Sequence, residues 1–176
     1  MHHFIVTAGL QEYVKELVPK KIFSNIWGGR YSCIYSKGDK DNIESIPVFC
    51  MDETMKTRAL YEISKGVFNS TVNAVNKKVE KENLWSPFNN FIYIGDGPTD
   101  IPALSLVRVY GGYGIVVFNS RKDKEEIKDR LKNMSADSRC DLITEAKFSE
   151  KSNLFCSIKN RCYQILEKYE AEDFSK

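Results

Sequence analysis

The chain has 176 residues, of which 42% are apolar and 28% charged. That composition excludes a disordered tail and a membrane-spanning bundle, and a chain of this length can bury roughly 70% of its unfolded surface without disulfide staples. Lys and Arg number 26 against 24 Asp and Glu, a net charge of +2, so no basic excess points to nucleic acid.

The first residues carry no secretory pattern. Met1-His2-His3 is followed by a short apolar run and then by polar residues, without a long apolar stretch or a cleavage site. No run approaches the ~18 apolar residues a membrane span needs. The five cysteines, Cys33, Cys50, Cys140, Cys156 and Cys162, show no CxxC spacing. An odd set of this kind fits a reducing compartment, and the expectation is a cytoplasmic protein.

Along the chain, Phe4-Ile5-Val6-Thr7 reads as a buried strand ending at Ala8-Gly9. Leu10, Tyr13, Val14 and Leu17 repeat at helical spacing, with Pro19 beyond the last turn. Residues 22–26 suggest a second strand. Residues 31–35 and 46–50 suggest a hairpin, turned by the polar run 36–42. Asp52 has the chemistry of a helix N-cap and Gly66 that of a stop, with Met55, Ala59, Leu60 and Ile63 on one face between them. Residues 69–83 read as a loop or surface helix. Phe91-Ile92-Tyr93-Ile94 is the clearest strand, and a short helix with Ile101, Leu104 and Val107 follows it. Residues 113–118 form the next strand, 121–132 a charged surface helix and Leu142-Ile143 a short last strand. The terminal helix carries Leu154, Ile158, Cys162, Ile165 and Tyr169.

Strand and helix alternate almost throughout, which predicts a single α/β domain over residues 1–176 with a mostly parallel sheet. Ligands of such sheets sit beyond the carboxyl ends of the strands. Three places meet that rule or lie close to it. Thr7 brings a hydroxyl beside the amides of Ala8 and Gly9, a combination suited to an anion. Gly95-Asp96-Gly97-Pro98-Thr99-Asp100 brings two carboxylates four residues apart, on a turn whose glycines permit close approach. Carboxylate oxygens there suit Mg²⁺. Lys56 stands in the first turns of the helix after Asp52, where a cation is unfavourable unless it serves an external anion. Each also has an ordinary reading: turn residue, capped turn or solvated lysine. Gly111-Gly112-Tyr113-Gly114 precedes a strand instead of following one. It reads as a helix-to-strand turn with positive φ more readily than as a nucleotide loop.

Taken together, the order hydroxyl, lysine, carboxylate pair resembles the haloacid dehalogenase-like (HAD) superfamily, most of whose members are Mg²⁺-dependent phosphatases. Residues 4–9 resemble its second motif, 54–57 its third and 93–100 its fourth. The hairpin between the second and third resembles the phosphoserine-phosphatase-like branch. The resemblance implies a Rossmannoid three-layer sandwich with an added β-hairpin. It implies phosphate binding by Thr7, Ala8 and Lys56, Lys56 as the catalytic cation, and Mg²⁺ at Asp96 and Asp100.

The family's first motif, Asp-x-Asp, and the substrate-selecting cap precede the second motif, which here begins at residue 4. Asp39-Lys40-Asp41 lies in a polar turn and Asp52-Glu53-Thr54 starts a helix, so neither replaces it. The expectation is therefore a truncated pattern without its first central strand. It acts on a small phosphate monoester only in complete form and is inactive alone for want of a nucleophile. The alternative is a non-catalytic HAD-like domain that binds a phosphorylated ligand or a partner chain. A homodimer or partner would then cover the open sheet, with no part for nucleic acid or membrane.

Overall fold

Phe4, Trp27 and Phe68 meet in one aromatic cluster, with ring centroids 5.4 to 6.5 Å apart. Around them the computed structural model, which describes residues 1–19, 21–36, 39–68, 74–121 and 139–174, builds the first of two compact units, Met1–Lys77. Strand β1 (His3–Leu10) runs into helix α1 (Gln11–Leu17) and then into β2 (Phe23–Ser36) and β3 (Asp39–Phe49). β1 and β2 are parallel, joined by a crossover of about a dozen residues that holds α1, and β2 and β3 are an antiparallel hairpin. The sheet order is β1-β2-β3.

Helix α2 (Glu53–Lys65) follows and lies against β1. Its ends are set locally. The Met55 N–H donates to Asp52 Oδ1 at 2.7 Å, and Gly66 closes the helix in the left-handed region at φ 72°. Ala59, Leu60 and Ile63 are buried on its inner face. Glu62 receives the Trp27 indole N–H at 2.8 Å and Arg58 Nε at 2.9 Å, which ties α2 to β2.

The second unit, Lys78–Lys176, holds an all-parallel sheet of order β4-β5-β6. Its strands are β4 (Ile92–Gly95), β5 (Tyr113–Phe118) and β6 (Leu142–Glu145). Helices α3 (Ile101–Val109) and α4 (Asn153–Phe174) accompany it. The strand period divides β5 between two faces. Ile115 and Val117 pack on Leu154 of α4, with Ile92, Leu142 and Ile158 around them. Gly114 turns to Leu104 of α3, where an added Cβ would come within 3.2 Å of Leu104 Cδ2. Among the described residues one helix thus covers each face of the sheet, and the near-continuous apolar run of β5 follows from burial on both sides. Arg161 of α4 donates through Nη2 to the carbonyls of Asn89 at 3.1 Å and Gly111 at 2.7 Å, pinning the helix to the turns before β4 and β5.

The chain is therefore a mixed α/β protein with two small, mostly parallel sheets and, among the described residues, four α-helices. No described helix is long and apolar enough to cross a membrane. One strand expectation changes here. The separate strands at 22–26 and 31–35 are one strand, β2, running through Gly28-Gly29. Residues 69–83 hold short 3₁₀ turns, Ala74–Asn76 and Lys81–Asn83, in their described part. The charged helix expected over 121–132 lies outside the described residues beyond Arg121.

Candidate functional site

Thr7, Ala8 and Lys56 all belong to the first unit. β1 and β2 stay in register from Phe4 to Val6 apart from a slip at His3, then lose it until Leu10 meets Gly29. Thr7-Ala8-Gly9 therefore forms an irregular, bulged stretch inside β1, where the sequence alone suggested the strand's end. The Gly9 N–H donates to Thr7 Oγ1 at 3.0 Å, so the hydroxyl folds the stretch on itself. Ala8 and Gly9 are exposed. β2 passes directly beneath, and a Cβ at Gly28 would lie 2.8 Å from the Gly9 carbonyl oxygen. Lys56 stands one turn into α2 and is only 5% exposed. That is rare for a lysine, whose ammonium must be compensated when buried.

Asp96 and Asp100 belong to the second unit, beyond the carboxyl end of β4. Their roles separate. Asp96 is exposed, whereas Asp100 is 5% exposed and turns back beneath the loop. Asp100 Oδ1 accepts from the Tyr93 hydroxyl at 2.7 Å, and Oδ2 accepts from the N–H groups of Asp96 and Gly97, each at 3.1 Å. The loop closes through the Asp100 N–H, which donates to the Gly97 carbonyl at 3.0 Å. Gly95 is required by this packing, since a Cβ there would stand 2.6 Å from Asp100 Cβ. Burial first, and then the charges of Asp100 and Asp96, push the Tyr93 hydroxyl's pKa well above its usual value. Tyr93 is the residue that sequence reasoning missed. Its signal was the inward position two residues before Gly95 on a strand of period two.

Among the described residues, no cluster of three or more His, Cys, Asp or Glu side chains is placed to hold a metal ion. Gly111 has φ 81° at the turn between α3 and β5, as expected of a helix-to-strand turn. A further concave region lies at the carboxyl ends of β5 and β6, lined by Asn119, Ser120, Arg121, Glu145, Ala146 and Lys147.

The chain matches no protein-family model and no solved structure. A curated protein to which it is similar is an uncharacterized protein of Borreliella burgdorferi, 28% identical over 113 residues. Those residues are 59% of this chain and 38% of the relative, so the chain spans about two fifths of the length of the protein it matches.

Proposed function

We propose that this chain is part of a HAD-like, Mg²⁺-dependent phosphatase acting on a small phosphate monoester, and that it is inactive without a nucleophilic aspartate supplied from elsewhere. The observation that carries this reading is the division of labour at the end of β4. Asp100 spends one oxygen on Tyr93 of β4 and the other on the loop, and leaves the Asp96 carboxylate exposed at the sheet's carboxyl edge. Within the first unit, the exposed Ala8 amide and bulged Thr7 serve as phosphate contacts. The buried Lys56 ammonium is the cation that offsets phosphoryl charge.

Mg²⁺ keeps several waters and takes one or two carboxylates together with substrate phosphate. The residues fit that requirement through Asp96, with Asp100 orienting the loop that presents it. When bound, the ion supplies charge neutralisation at the phosphoryl oxygens. The chain's own residues hold and orient the phosphate.

The test is an assay of the purified chain with p-nitrophenyl phosphate and Mg²⁺, beside a binding titration with inorganic phosphate. The expected outcome is no turnover, with saturable binding that Lys56→Met weakens about tenfold or more, the scale of a lost charge-assisted hydrogen bond. Robust turnover that Asp96→Asn abolishes would overturn the need for an external nucleophile. Absence of both turnover and phosphate binding would overturn the phosphatase reading itself.

The second reading, a non-catalytic domain bound to a partner chain or to a second copy, rests on sheet order. β1 and β4 are each an outer strand of their own sheet, and an unpaired strand edge is a template for another strand. Light scattering on a sizing column separates the readings. A monomer at micromolar concentration argues against self-association through these edges.

A further inference from the structure

At the carboxyl edge of the second sheet, beginning one strand along from the Asp96 loop, the chain leaving β5 and the chain leaving β6 line an open cleft of about 480 Å³ whose six lining residues are all exposed. Backbone bonds fix the segments that line it. The Ala146 N–H donates to the Phe118 carbonyl at 2.8 Å, and the Lys147 N–H to the Glu145 carbonyl at 2.7 Å. Asn119 Oδ1 accepts the Arg121 N–H at 3.0 Å, turning the chain as it leaves β5. The Ser120 hydroxyl is hydrogen-bonded to the Glu145 carboxylate across the cleft. Arg121 and Lys147 complete the lining. Among the described residues neither cation has an ion-pair partner, and Glu145, in the same lining, is held by Ser120.

We infer that this cleft is a second anion site, distinct from Thr7 and Lys56, that takes the phosphate or carboxylate group of a small hydroxylated molecule. The two cations outweigh Glu145 by one charge, which favours an anion. An arginine fork beside a lysine point charge suits tetrahedral oxyanions. The Glu145 carboxylate and the Asn119 amide supply acceptors for a hydroxyl on the same ligand. The position obeys the rule for open α/β sheets, whose ligands lie outside the strands' carboxyl ends. Adjacent strands stand about 4.8 Å apart, so the site, which lies between the ends of β5 and β6, begins about one strand spacing along the sheet edge from β4. The inference stands on the cleft alone and does not require the phosphatase reading.

The experiment is a titration of the full chain with inorganic phosphate, followed by ¹H–¹⁵N NMR and matched in ionic strength by sodium chloride. Saturable shifts are expected at residues 119–121 and 145–147, whatever happens at residues 7–9 and 56. The double variant Arg121→Gln, Lys147→Gln replaces exposed side chains and is expected to keep its spectrum while weakening these shifts about tenfold or more. Glu145→Gln removes the opposing charge and is expected to tighten binding. A parallel titration with glycerol 3-phosphate, which adds hydroxyls, is expected to bind more tightly than inorganic phosphate to the unaltered chain. The inference is overturned if shifts at these six residues are absent, follow sodium chloride equally or persist in the double variant. It is also overturned if Glu145→Gln leaves affinity unchanged or lowers it. Shifts confined to residues 7–9 and 56 support the phosphate site of the first unit and overturn this one.

Discussion

The Tyr93 hydroxyl donates to Asp100 Oδ1 at 2.7 Å in a buried setting, and the other Asp100 oxygen gathers two backbone N–H groups. This one carboxylate holds the strand, the turn and the first residues of α3 in a fixed relation. Asp100→Ala removes the acceptor of three donors at once and is expected to destabilise the second unit by about 2–4 kcal/mol. Tyr93→Phe strands one carboxylate oxygen and is expected to cost about 1–2 kcal/mol. The chain has two tryptophans, Trp27 in the first unit and Trp85 in the second. Urea unfolding of a Trp27→Phe background, read through Trp85, measures the loss in the second unit. An unchanged midpoint in Asp100→Ala would show that the loop does not depend on this carboxylate.

The same contact sets a pH dependence. An unfolded tyrosine titrates near 10. In the folded chain burial and the neighbouring carboxylates raise the pKa of Tyr93. Above pH ~10 the unfolded state therefore binds fewer protons than the folded state, and stability falls as pH rises. The contribution is fully present below pH ~10 and is lost on climbing through the raised folded value. Spectrophotometric titration at 295 nm is expected to leave Tyr93 protonated until the second unit unfolds, with the missing amplitude absent from Tyr93→Phe. An equal high-pH loss of stability in Tyr93→Phe would refute the assignment.

Helix α2 carries Lys56, and both of its stops are single residues. Asp52→Ala removes the carboxylate that accepts the Met55 N–H, at an expected cost of about 1 kcal/mol. Gly66→Ala forces a Cβ into φ 72° and is expected to cost about 1 kcal/mol. Because the two sites are at opposite ends of the helix and share no partner, the costs are expected to add within about 0.5 kcal/mol. Unfolding followed through Trp27, with Trp85 replaced by Phe, reads both. A double variant no less stable than either single one would show that the ends are coupled.

What the sequence made legible was local. Asp52 and Gly66 bound α2 because caps are decided by neighbouring backbone groups, and β5 kept its expected limits because its apolar run ends at turn residues on both sides. The strands expected at 22–26 and 31–35 prove to be one, and the Gly28-Gly29 pair between them is no break. Glycine marks both a turn and a close approach of two backbones, and only the fold tells them apart. Here it is close approach, so β2 continues through the pair. Ala8-Gly9 likewise suggested a strand end and proved to be a bulge inside β1. At the candidate site, Asp96 and Asp100 stand beyond β4 as the spacing implied. Their division into an exposed and a buried carboxylate depends on Tyr93, which faces Asp100 only after the loop has turned back.

Gly28 and Gly29 give a sharper test of that close approach, because they are adjacent, both buried and differently crowded. A Cβ at Gly28 would lie 2.8 Å from the Gly9 carbonyl oxygen and 3.0 Å from the Gln11 amide nitrogen, whereas at Gly29 the nearest atom is the Phe49 carbonyl oxygen at 3.4 Å. Backbone atoms cannot swing aside as a side-chain tip does, so Gly28→Ala must push the Thr7–Gly9 bulge away from β2. Overpacking of this kind costs about 1–3 kcal/mol, and Gly29→Ala, in ordinary contact, is expected to cost less. Since the displaced segment holds Thr7 and the Ala8 amide, Gly28→Ala is also expected to weaken inorganic phosphate binding at residues 7–9 while leaving residues 119–121 and 145–147 unaffected. NMR titration of the two variants side by side checks both statements. Equal stability and equal phosphate response in Gly28→Ala and Gly29→Ala would mean that the backbone of β2 does not shape the bulge.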